Sequence, residues 1–116
     1  MRYRAIIQLV SGEEAVIKST ASQINNLIKA LEGDVEVELV CHGESLSFVL
    51  ADGNKWADII EYLLGKSIEI VACENMLDAH AKSPRDLFTG IKTVPSAIAE
   101  IVVKQQEGWS YVKAGF

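Results

Sequence analysis

Short, β-prone apolar runs alternate with helical patterns along this chain, and that alternation leaves few ways to fold it. Tyr3–Val10, Val35–Cys41 and Ile68–Cys73 read as strands. Between the first two, Ile17, Ala21, Ile24, Leu27, Ile28 and Leu31 fall on one stripe of a helix over Glu14–Glu32, which Gly33-Asp34 stops. Glu44–Leu50 reads as a short helix. Trp56, Ile59, Ile60, Leu63 and Leu64 form a further helical stripe, with Gly65 as its C-cap. After Cys73, Asn75 is the expected N-cap of a short helix over Met76–Ala81, and Ser83-Pro84 starts another turn. Lys92–Pro95 is a short strand. Ser96 caps a helix to about Gln105 with Ile98, Ile101 and Val102 inward, and Trp109–Lys113 is a last, aromatic strand. Strand–helix alternation of this kind predicts βαβ units and a parallel sheet covered on both faces. The expectation is one α/β/α domain over residues 1–116, with no linker or repeat.

Size and charge narrow the function. The chain has 116 residues, the size of one domain, and a net charge of −5, which argues against nucleic-acid partners. Its first apolar run, Ala5–Val10, is too short for a signal peptide and soon meets Glu13-Glu14, and no stretch reaches membrane-spanning length. The expected compartment is cytoplasmic, where two cysteines stay reduced.

In an open parallel sheet, ligands bind beyond the carboxyl ends of the strands. Those ends carry Ser11-Gly12, His42-Gly43, Cys73-Glu74-Asn75 and Pro95-Ser96. A thiol between a strand end and a helix start sits among free N–H groups that favour the thiolate, while Glu74 opposes it. Cys73 therefore reads either as a reactive thiol or as an inert packing residue. His42 occupies the equivalent place one strand earlier, where it can take a thiol proton, hold a thiolate, or merely bond backbone. Gly43 fits a tight turn whose N–H groups can hold an anion, and the Asn75 amide can orient one. Cys41, inside its strand, points away from His42 and reads as core. A zinc site from Cys41, His42, Cys73 and His80 lacks the usual ligand spacing. Neither G-x-G-x-x-G nor a P-loop follows the first strand, and Glu13-Glu14 there would repel phosphate. Trp109 and Tyr111, two apart, share one face of a strand and read as core packing or as an oligomer contact.

Taken together, Val40-Cys41-His42-Gly43, Val71-Ala72-Cys73-Glu74-Asn75 and Lys104-Gln105-Gln106-Glu107-Gly108-Trp109-Ser110-Tyr111 resemble the DsrE/DsrF-like family of small sulfur-relay proteins, in particular its short stand-alone members. The likeness runs over nearly the whole length. It implies a three-layer α/β/α sandwich with a five-stranded, mainly parallel sheet. It implies homo-oligomers, often trimers or hexamers, and partner proteins that give and take sulfur. It also implies that the cysteine after the third strand, here Cys73, accepts sulfane sulfur as a persulfide. The expectation is a sulfur carrier or sulfurtransferase-like protein using Cys73 and His42, with Gly43, Asn75 and Ser96 around the bound group and with no metal or organic cofactor. Against the family pattern, no second cysteine stands in a loop to relay the sulfur. The competing expectation is an oligomeric module that binds a small ligand or a protein, with Cys73 as a pocket wall.

Overall fold

The computed structural model describes residues 1–116. The elements run β1 (Tyr3–Leu9), α1 (Glu14–Ala30), β2 (Val35–Cys41), α2 (Leu46–Val49), α3 (Ala57–Gly65), β3 (Glu69–Cys73), α4 (Glu74–Ala79), β4 (Lys92–Val94), α5 (Ala97–Gln106) and β5 (Ser110–Lys113). One five-stranded sheet has the order β4-β3-β2-β1-β5, and every adjacent pair is parallel. No helix is long and apolar enough to cross a membrane.

The strand order fixes the layers. Chain direction runs β1 to β2 to β3 to β4 one way across the sheet, and then α5 carries it back to β5 at the far edge. Right-handed crossovers therefore place α1 and α3 on one face and α5 on the other. The Tyr62 hydroxyl of α3 donates to Asn25 Oδ1 of α1 at 2.7 Å, which ties the first two into one layer. Ile17 and Ile24 of α1, Ile60 and Leu63 of α3 and the odd-numbered β2 residues Val35, Val37 and Leu39 are all buried.

The α5 face is different. A single ten-residue helix covers it, and the strand residues facing that side include Arg4, Gln8, Glu36, Glu38 and Glu69. Arg4, Glu36 and Glu69 are exposed, while Glu38 is buried under α5. The alternation Val35-Glu36-Val37-Glu38 thus records one fully covered face and one thinly covered face.

Four local expectations change. Gly65 is the last residue of α3 rather than its cap, and the reversal falls on Lys66 and on Ser67, whose φ is +63°. Asn75 lies inside α4, which starts at Glu74, two residues before the expected Met76, with Cys73 itself at the N-cap position. In α5, Ala97 and Ile101 turn inward, whereas Ile98 and Val102 are 57% and 54% exposed. Lys104 continues the inner stripe and approaches Glu38, so the helix is rotated by about one residue from the apolar count. Trp109 precedes β5 and is buried under the Lys104 ammonium, 4.6 Å from its ring, while Tyr111 in the strand is exposed. Both aromatics lie on the α5 side of the sheet, as their spacing predicts, but only Trp109 packs into the core.

Candidate functional site

The carboxyl ends of β2 and β3 lie side by side, with Cys41 paired to Ala72. Side chains alternate along a strand, so Cys41 and Ala72 face the α1 and α3 layer, and His42 and Cys73 face the α5 side. Cys41 is thereby separated from His42 and Cys73 by the sheet itself. Its thiol is wholly buried, and that burial pushes its pKa far above the usual thiol range.

After β2 the chain turns sharply. Gly43 has φ +64°, a conformation that side chains with a Cβ resist. The turn continues as a short 3-10 segment, Gly43–Ser45, and Ser45 Oγ donates to the His42 carbonyl at 2.8 Å. The loop after β1 presses against it, since a Cβ on Gly12 would stand 2.8 Å from the Glu44 carbonyl oxygen. His42 is thus held by a compact corner at the strand end.

After β3, Cys73 opens α4 and is buried, with 6% of its surface exposed. The backbone N–H of Ala97, the first residue of α5, points at Cys73 Sγ across 3.3 Å. The ten-residue α5, longer than six-residue α4, thus directs its positive end at the sulfur. Ser96 caps α5, its Oγ accepting from the Ala99 N–H at 3.2 Å. Glu74, whose charge would oppose a thiolate, accepts from the Thr93 hydroxyl on β4 at 2.8 Å.

His42, Gly43, Cys73, Asn75 and Ser96 line one open cavity of about 380 Å³, together with His80 and Ile98. His42 Nε2 lies 2.8 Å from Gln8 Nε2, and the Tyr111 hydroxyl donates to Gln8 Oε1. Burial lowers the His42 pKa, favouring the neutral ring. His80 bonds the Met76 carbonyl through Nδ1 at 3.0 Å. The set offers a thiol beside a helix start, a neutral imidazole and a concave space: the means to bind a small group at sulfur and hold negative charge there.

Three contributors escaped the sequence reading. Ala97 carries no chemical signal, because its contribution is a backbone N–H. Gln8 does leave one, as a lone polar residue within Ala5–Val10. Tyr111 does leave one too, but it reads as core packing or an oligomer contact.

No protein-family model matches the chain, and no curated protein matches it. Among solved structures, the protein of unknown function MTH1491 from Methanobacterium thermoautotrophicum is similar, at 28% sequence identity and a TM-score of 0.91. That match covers 96% of this chain and 98% of the other. The ychN protein from E. coli is similar at a TM-score of 0.75 and 13% identity, covering 97% of this chain and 99% of that one. The chain therefore shares its three-layer α/β/α fold, end to end, with both.

Proposed function

We propose that this protein carries sulfane sulfur on Cys73 as a persulfide. The observation that carries the reading is the Ala97 N–H aimed at Cys73 Sγ from the start of α5, inside a cavity shared with His42. The Cys73 thiolate attacks the outer sulfur of a donor R–S–S–H. A new S–S bond forms at Cys73 as the donor's S–S bond breaks. R–S⁻ leaves with the bonding electron pair and takes up the proton given up by the Cys73 thiol. Transfer onward is the same exchange with an acceptor thiolate, so the protein needs no external oxidant. The donated N–H and the helix dipole favour the anionic sulfur before and after loading. His42 holds that anion or moves its proton. Donor and acceptor are proteins or small thiols able to bring a sulfur to the rim.

The exposed side of α5 supports a homo-oligomer, a trimer or a multiple of it. Ile98 and Val102 on α5 and Tyr111 on the edge strand are all exposed. Ile98 lines both the Cys73 cavity and the adjoining groove with Gln8 and Tyr111. A second copy seated there would cover the thin face of the sheet and close one side of the cavity. The number three follows the family resemblance.

The test is intact-protein mass spectrometry after incubation with thiosulfate, polysulfide or a persulfidated protein, followed by peptide mapping. Addition of one sulfur atom to the Cys73 peptide is expected. A chain that stays unmodified with all three donors overturns the carrier reading in favour of a ligand-binding cavity with Cys73 as wall.

A further inference from the structure

Three side chains from three adjacent strands form a line that ends at the cavity. Tyr111 on edge strand β5 donates its hydroxyl proton to Gln8 Oε1 on β1. Gln8 Nε2 faces His42 Nε2, just past β2, at 2.8 Å. A primary amide has one accepting end and one donating end. Tyr111 occupies the accepting end, so only N–H is turned toward the imidazole. His42 Nε2 must then be the bare, accepting nitrogen, and the ring proton sits on Nδ1.

We propose that Gln8 and Tyr111 are positioning residues that hold His42 as its Nδ1–H tautomer, so that His42 serves Cys73 as a hydrogen-bond donor and not as the base that removes its proton. Within the carrier reading, on which its functional half rests, this decides between the two roles left open for His42. In this tautomer the neutral ring has no free lone pair, since Nε2 is occupied by Gln8 and Nδ1 is protonated. Charging the ring would set Nε2–H against the amide N–H. Imidazolium therefore requires the amide to reverse and the Tyr111 hydroxyl to turn from donor to acceptor. Burial acts in the same direction by lowering the His42 pKa. The titratable groups around this line are Glu44 beside Gly43, the Cys73 thiol and His80 on the cavity wall, and Lys113 paired to Gln8 across β1 and β5. The Gln8–Tyr111 pair also lines the groove next to Ile98, so whatever covers that groove covers the lock.

The experiment is two-bond ¹H–¹⁵N correlation of the histidine rings in uniformly labelled full-length protein, across a pH titration. The chain has two histidines, so the H42A spectrum assigns His42. In the wild type, His42 is expected as the Nδ1–H tautomer. Gln8→Glu presents an acceptor to Nε2, and is expected to move the proton to that nitrogen and raise the ring pKa by about 1 unit or more. Tyr111→Phe, at an exposed position that tolerates truncation of the hydroxyl, is expected to release the amide and give a mixture of tautomers. A residue that merely packs would change neither signature. An Nε2–H tautomer in the wild type overturns the proposal, as does a Tyr111→Phe protein with the same tautomer and pKa. Sulfur loading is measured on the same samples by mass spectrometry. A protein with the expected tautomer that takes no sulfur refutes the carrier reading alone.

Discussion

Cys41 and Cys73 close two neighbouring strands of one sheet, and both are buried, at 0% and 6% exposure. By burial they are near equals. What separates them is the face of the sheet. Cys41 turns into the layer under α1 and α3, among aliphatic side chains, where nothing offsets the cost of an anion and its pKa is driven up. Cys73 turns to the α5 side, where an N–H donor meets its sulfur and a cavity opens beside it. On the carrier reading, Cys73 is the reactive one of the two because of the donor aimed at its sulfur and not because of its exposure.

The sharpest way to break the contrast is substitution. Cys73→Ser keeps nearly the same volume but forms no persulfide, so sulfur uptake should vanish while the fold and assembly persist, read by mass spectrometry and light scattering. Cys41→Ser should load normally. Loss of loading with Cys41→Ser and not with Cys73→Ser would reverse the assignment.

Alkylation of the native protein probes the same difference without mutation. Iodoacetamide at neutral pH should label Cys73 faster than Cys41 by about 100-fold or more, because the label reacts with thiolate and burial suppresses that form at Cys41. Equal rates would mean that the Ala97 N–H gives Cys73 no advantage.

His42 tests a neighbour of the thiol. If it donates one hydrogen bond to a charged sulfur, His42→Ala should slow loading by about 10- to 100-fold, the worth of one such bond, without abolishing it. Because burial lowers the His42 pKa, any loss of a cationic form should fall below the ordinary histidine range as pH rises. A loading rate that falls within or above that ordinary range would point to imidazolium as the working form.

How much of this was legible in the residues depends on whether a side chain or a backbone group does the work. Periodicity revealed the strands, the α1 stripe and the parallel sheet, because burial writes itself into spacing. Cys73, His42 and Gly43 were legible from their places at strand ends. The rotation of α5 was not: Ile98, Ile101 and Val102 look like an apolar stripe, yet Ala97, Ile101 and Lys104 face the sheet. A lysine on an inner face is invisible to an apolar count unless its partner, Glu38 on a strand far away in sequence, is known. Likewise Asn75 looked like the cap of α4, but Cys73 takes that position and the donor reaching its sulfur comes from α5.

Glu38 completes the comparison, since α5 meets Cys73 at its first residue and Glu38 at Lys104. Glu38 is buried in β2, its Oε2 has no hydrogen-bond partner, and its Oε1 lies 3.7 Å from Lys104 Nζ. Burial first, and the neighbouring Glu100 carboxyl second, push its pKa from 4.5 up to about 8, against the opposing pull of Lys104. The raised pKa extends the range of pH over which the contact with Lys104 is made by the protonated acid, although its distance is that of an ion pair. The sign of the linkage follows. Between these two values the folded protein holds a proton that the unfolded chain has lost, so the stabilisation is complete below pH 4.5 and disappears as pH rises through about 8. Glu38→Gln keeps the shape and removes the ionisation. Its stability should be flatter between pH 5 and 8.5. At the upper end it should exceed the wild type by ~1–3 kcal/mol in urea unfolding, because no carboxylate is then forced into the interior. Lys104 stays satisfied over the Trp109 ring. A wild-type stability that instead rises across this range would show Glu38 ionised against Lys104, and α5 held to the sheet by a true ion pair.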